Sequence, residues 1–185
     1  MPNYKFEMFS ISNVLILINI LVFFGTSSFP HASLYFGLNN HFLESNLWHQ
    51  PLTTMFMHAN EIHLFMNMFV LFQFGNILEQ LIGKSKFLVL FIVGGVLTSI
   101  LTFLYIHNIA IEHNVVGASG AICMILGYFS MIEKQNQKGI FIWILLISFG
   151  PLLLGQNVAW YGHIAGYFIG ISIYFVFGKF SANRH

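Results

Sequence analysis

A serine becomes a useful nucleophile only when a base takes its proton, and the apolar stretches of this sequence offer few bases. Ser119 stands in Gly117-Ala118-Ser119-Gly120, His163 in Gly162-His163-Ile164-Ala165-Gly166, and Asn67 in a third apolar stretch. At about 1.5 Å per helical residue, Ser119 lies roughly 21 Å from Glu133, His163 roughly 24 Å from Lys179, and Asn67 roughly 25 Å from Lys84. Three helices thus bring polar groups to one level. Gly117, Gly120 and Ala121 surround Ser119, while Gly162, Gly166 and Gly170 recur every four residues around His163, a spacing that lets helix backbones approach closely in lipid. A hydrogen bond between Ser119 and His163 would join a nucleophile to a general base. The same residues equally fit a close-packed helix pair with a structural serine and histidine, and spacing alone leaves both readings open.

The elements that must position these residues are apolar helices. Of the 185 residues, 57% are hydrophobic and 7% charged, against roughly 25% charged in soluble domains. With about 20 residues per span, the chain has room for six transmembrane helices and no separate soluble domain. Apolar segments run over 11–25, 62–82, 87–106, 119–132, 140–154 and 159–177. A signal-peptide reading of the first suits its trailing small residues but not its length and weakly basic start. Lys and Arg occur as Lys5, as Lys84 with Lys86, as Lys134 with Lys138, and as Lys179 with Arg184. Under the positive-inside rule this places both termini and the even-numbered loops in the cytoplasm. The three marked residues then fall in the outer half of a hydrocarbon core about 30 Å thick. The segment 26–61 lies on the outer side, where Ser33 to Phe36 and Leu52 to Met57 suit short interfacial helices, Pro30 and Pro51 forbidding one continuous helix. A net charge of +1 provides no extended nucleic-acid surface.

This topology narrows the chemistry. Every lysine belongs to the cytoplasmic edge, which excludes a Ser-Lys dyad, and the absence of Asp excludes both an aspartyl protease and a Ser-His-Asp triad. Glu79 is too near the cytoplasmic end to orient His163. His58, Glu61 and His63 do not match H-E-x-x-H or its inverse, so no metal site or cofactor is expected. His31, His41, His49, His107, His113 and His185 are read as loop or interfacial residues. Cys123 is the lone cysteine, so no intrachain disulfide forms.

Gly117-Ala118-Ser119-Gly120 resembles the GxSG motif of the rhomboid family of intramembrane serine proteases. His58-Ala-Asn-Glu-Ile-His63-Leu-Phe-Met-Asn67 is similar to the family's H-x4-H-x3-N element, Gly162-His163-Ile-Ala-Gly166 to its histidine motif, and Glu79 with Gly83 to its E-x3-G pattern. GxSG alone is a weak signal; four motifs in order on helices 2 to 6 are a strong one. The resemblance implies an all-α, polytopic six-helix membrane bundle, with one rhomboid-like domain over 1–185 and a motif-bearing core at about 48–178. It implies Ser119 as nucleophile, His163 as general base and then acid, and His63, Asn67 and the Ser119 backbone N–H as oxyanion stabilisers. The substrates implied are membrane proteins cut in or next to their transmembrane segments, and the location a bacterial inner membrane.

Two positions depart from the family pattern. Cys123 stands where many members carry a Tyr that packs on the histidine, and His49-Gln50 where a Trp-Arg pair is usual. Neither removes a catalytic group. The polar turn Gly155-Gln156-Asn157-Val158 after helix 5 marks that helix as a lateral gate. His58 is expected to tie the outer loop to helix 2, and the face with Phe65, Met66, Met68 and Phe69 fits contact with either lipid or substrate. A catalytically inactive, client-binding member of the family is the alternative, though such proteins typically lack the Ser or the His. A small transporter would more often show mid-membrane charge or inverted repeats.

Overall fold

The computed structural model describes residues 9–109, 112–153 and 155–178. Lys5, Lys179, Arg184 and His185, and Leu154 at the expected end of helix 5, lie outside the described residues. The long helices are α1 (Ile11–Thr26), α2 (Glu61–Ile82), α3 (Lys84–Ile109), α4 (Ser119–Ile132), α5 (Gln137–Leu153) and α6 (Trp160–Phe177). Their ends agree with the apolar segments to within about one helical turn. Helices α2, α3 and α6, and α5 with the tight turn that leads into it from Lys134, are long and apolar enough to cross a membrane. Helices α1 and α4 are apolar but shorter, at 16 and 14 residues.

Helix α4 is the centre of the molecule, buried without a break from Ala121 to Met131. It packs most extensively on α6, and glycines make this possible. A Cβ on Gly166 would overlap the Gly120 carbonyl oxygen, one on Gly170 the Met124 carbonyl oxygen, and one on Gly127 the Tyr167 carbonyl oxygen. Both backbones therefore come closer than any side chain would allow. Helix α3 lies against the same crossing with the short side chains of Thr98 and Thr102 facing Gly120 and Gly162. Wider π-helical turns interrupt α2 at Leu71–Gly75 and α3 at Leu90–Gly94. Each sits where a neighbour presses in, Ser12 of α1 on Gly75 and Met124 of α4 on Gly94.

Helix starts follow their local sequence. Ser10 caps α1 by accepting from the Asn13 N–H, and Asn60 caps α2 by accepting from the His63 N–H, as expected for such residues at helix N-termini. A longer-range cap is supplied by Glu79, a buried carboxylate near the end of α2. It accepts from the backbone N–H of Ile11 and Ser12 at 2.8 Å each, and from the Ser12 hydroxyl at 3.0 Å. A carboxylate at a helix N-terminus satisfies orphan donors and complements the helix dipole, so burying this charge fastens α1 to α2. Gly83 follows at φ 87°, a left-handed turn that glycine adopts without strain, and α3 begins at once.

Between α1 and α2 the chain folds into short helices at Ala32–Phe36, His41–Glu44 and Gln50–Thr53. The first and last fall where short interfacial helices are expected. This region rests on a second apolar cluster of Leu38, Phe42, Phe103, Ile106 and Tyr161. Gln50, fully buried, donates to the Leu34 and Tyr35 carbonyls, and His49 Nε2 lies 3.0 Å from the Tyr35 carbonyl. His49 and Gln50, which stand where the resemblance implies a Trp-Arg pair, thus tie down the loop.

Glu79→Ala is expected to cost about 3 kcal/mol, because two backbone donors and a hydroxyl lose a charged acceptor. Thermal unfolding in detergent checks this, with the exposed Leu81→Ala expected within about 0.5 kcal/mol of the parent.

Candidate active site

The approach of α4 to α6 brings Ser119 Oγ within 2.9 Å of His163 Nε2. Ser119 is the first residue of α4, so its backbone N–H is among those that have no partner inside the helix. The chain enters through Gly117 at φ 125°, a conformation side chains rarely adopt. A Cβ there would also fall 2.8 Å from His63 Nε2. Glycine is required at this position on both counts.

The segment before Ser119 is clamped from the outer loop. Leu38 and Val115 exchange backbone hydrogen bonds at 2.9 and 2.8 Å. Thr54 donates its hydroxyl to the Val115 carbonyl at 2.6 Å and accepts the Gly117 N–H on its own carbonyl at 2.9 Å. Asn114 donates to the Ser33 carbonyl, and Asn39 bridges Asn114 Oδ1 and the Leu34 carbonyl. Thr54, Asn39 and Asn114 escape sequence reasoning because polar residues in a polar loop carry no distinguishing signal.

His63 lies one turn into α2, its Nδ1 accepting the Ala59 N–H at 3.4 Å. That bond places the ring proton on Nε2, which faces Gly117 beside Ser119. Asn67 is one turn further along the buried face of α2 and donates through Nδ2 to the His63 carbonyl at 2.8 Å. The structure therefore brings Ser119, His163 and His63 around one space, while the hydrogen bond made by Asn67 runs along its own helix. Met68 is in the core, whereas Phe65, Met66 and Phe69 are exposed; the face open to lipid or substrate is narrower by one methionine.

His58 packs on His63 with ring centroids 5.1 Å apart. Burial and the neighbouring His63 push its pKa down to about 4, so it is neutral over the physiological range. Cys123 is fully buried one turn below Ser119, against Gly166 of α6. Helix α5 contributes an unexpected contact: the Ser148 hydroxyl lies 3.1 Å from His163 Nδ1. Among the described residues no cluster of three or more His, Cys, Asp or Glu is arranged to hold a metal.

Fold and site together define a class: an all-helical chain with the apolar content of a multi-pass membrane protein, enclosing a hydrogen-bonded serine and histidine between two glycine-lined helices. The chain belongs to the rhomboid family, whose domain model matches residues 45–180. It is 26% identical over 149 residues to rhomboid protease GlpG of Haemophilus influenzae, covering 76% of this chain and 74% of that protein. It is 28% identical over 164 residues to rhomboid protease GluP of Bacillus subtilis, covering 82% of this chain and 31% of the relative. It is also 29% identical over 134 residues to the putative rhomboid protease YdcA of the same organism, covering 64% and 62%. The chain thus spans less than two thirds of either Bacillus protein.

The lowered pKa of His58 sets a pH dependence. Between about 6.5 and about 4 the unfolded imidazole binds a proton that the folded one does not, so stability falls as pH falls through this window. His58→Gln is expected to flatten that part of the curve of stability against pH, measured by chemical denaturation in detergent. An unchanged slope in the variant would refute it.

Proposed function

We propose that this chain is an intramembrane serine protease that cuts membrane proteins in or next to their transmembrane segments. The observation that carries the reading is the 2.9 Å hydrogen bond between Ser119 Oγ and His163 Nε2. It lies within four motifs of a family whose named relatives are proteases. Ser119 Oγ attacks the carbonyl carbon of the scissile peptide while His163 Nε2 takes the hydroxyl proton. Negative charge then develops on the carbonyl oxygen. The Ser119 N–H at the start of α4 and the Nε2–H of His63 are the donors assigned to that charge, where preorganised dipoles lower the barrier most. Asn67, whose Nδ2 donates to the His63 carbonyl, is the third group assigned to the oxyanion. His163 returns the proton to the departing amine, and water, with the same base, releases the acyl group from Ser119.

The six long helices are read as six spans, forming one membrane unit with its motif core at about 48–178. Lys84, Lys86, Lys134 and Lys138 mark the cytoplasmic edge. Helix α4 is about 21 Å long at about 1.5 Å per residue and begins only after the extended segment 112–118. Ser119 therefore lies below the outer surface, in a pocket that water enters from above. Peptides presented there must be unwound, because an intact helix hides its carbonyls in hydrogen bonds. Substrates are accordingly transmembrane segments that unwind readily near the outer boundary. Helix α5 is the gate through which they enter. It is the loosest of the long helices, with Ile142, Trp143, Leu146, Phe149 and Leu153 exposed and the left-handed Gly155 in the turn that follows.

Two experiments test this reading. A fluorophosphonate probe is expected to label the detergent-purified parent and neither Ser119→Ala nor His163→Ala. A folded parent that fails to label would assign the chain to the client-binding alternative. Tethering α5 to α2 is expected to slow cleavage of a transmembrane substrate, and parental rates in the tethered protein would refute gating.

A further inference from the structure

The buried residues of helix α5 form a single stripe, Ile140, Ile144 and Ser148, spaced four residues apart. Two of these are apolar, as lipid and core demand. The third is a hydroxyl with no water-facing surface, and a buried hydroxyl is costly unless it is hydrogen-bonded. Its partners are the Ile144 carbonyl at 2.5 Å, one turn back on α5, and His163 Nδ1 at 3.1 Å on α6.

The donors and acceptors can be counted. The Ser148 hydroxyl has one proton, and a carbonyl can only accept, so the shorter contact takes that proton. Ser148 Oγ then meets His163 Nδ1 as an acceptor, which requires the ring proton to be on Nδ1. A neutral imidazole carries one N–H, so Nε2 presents its lone pair, and it does so 2.9 Å from Ser119 Oγ. We propose that Ser148 is a positioning residue, holding His163 from α5 in the tautomer that can receive the Ser119 proton. The proposal rests on Ser119 and His163 acting as nucleophile and base.

The same geometry serves the later step. Once Nε2 has taken the proton, both ring nitrogens are donors, and Ser148 still offers a lone pair to Nδ1. A carboxylate in this position would orient the ring equally well but would bury a charge among apolar helices, at the cost that such desolvation carries. A hydroxyl already committed to its own helix avoids that cost. Because Ser148 belongs to α5, the base is fully oriented only while α5 is seated against α6.

The test compares Ser148→Ala, Ser148→Thr and Ser148→Val with the parent in detergent. Nitrogen-15 NMR of histidine-labelled protein reads the His163 tautomer, its signals assigned by their loss in His163→Ala. Fluorophosphonate labelling reads the reactivity of Ser119. Expected are an Nδ1-protonated His163 in the parent, a shift toward the Nε2-protonated form in the Ala and Val variants, and restoration by Thr. Labelling should slow about tenfold in Ala and Val, roughly what one hydrogen bond contributes, with half-saturation unchanged and recovery in Thr. Thr and Val have nearly the same shape, so their difference isolates the hydroxyl even where Ala fails to fold. An Nε2-protonated ring in the parent, or parental labelling rates in Val, would overturn the proposal. Failure of the protease reading looks different: no labelling of the parent, with the tautomer still following the hydroxyl.

Discussion

The distance between two helix backbones governs this molecule. Helices α4 and α6 are pressed together at Gly120, Gly127, Gly166 and Gly170, where any Cβ would meet a carbonyl oxygen, backbone atoms or a close-packed side chain. A serine side chain reaches only a short way from its backbone, so Ser119 can touch a histidine on another helix only if the helices run this close. The hydrophobic effect does not draw helices together within lipid, and close packing must do so instead. The glycines that hold the bundle together are therefore the ones that set the Ser119–His163 contact. Stability and site geometry share one set of residues.

A second constraint is the treatment of charge. Glu79 is a buried carboxylate, and it lies among the N-terminal amides of α1, at the opposite end of α2 from His63. The polar network at the other end works entirely with neutral groups: hydroxyls, amides and imidazoles. Neighbours place the decisive protons. Ala59 leaves the His63 proton on Nε2, and Ile144 leaves the Ser148 lone pair for His163. In a medium where an unpaired charge is expensive, orienting rings through neutral hydrogen bonds costs little and fixes directions well.

The outer loop extends the same logic to the backbone. Ser119 can offer its N–H only from the first turn of a helix, so something other than helical hydrogen bonding must hold the residues before it. Thr54, Leu38, Asn39 and Ser33 do this through Val115, Gly117 and Asn114. The loop in turn rests on Phe42, Phe103 and Tyr161. The position of one helix start is thus traceable to an apolar cluster in another part of the chain.

The sequence alone determines the long helical segments, because extended apolar runs between charged or polar breaks can satisfy their own backbone in lipid only as helices. It also marks Ser119, His163 and Asn67, because a polar side chain in an apolar run is conspicuous and its depth follows from helical rise, while His63 is marked only by the resemblance of its motif. Glycines at four-residue spacing announce the close helix pair. What the sequence could not give are contacts that depend on how each helix is rotated about its axis. Ser148 is one serine among several in apolar segments, and only the seating of α5 turns it onto Nδ1 of His163. Glu79 was legible as a pattern with Gly83, yet its partners, 67 and 68 residues earlier, depend on where α1 docks. Asn67 is a further case: its spacing puts it one turn beyond His63, and only the structure shows its amide donating to the His63 carbonyl. Periodicity fixes which residues share a face and at what depth; packing against all neighbours at once fixes where that face points.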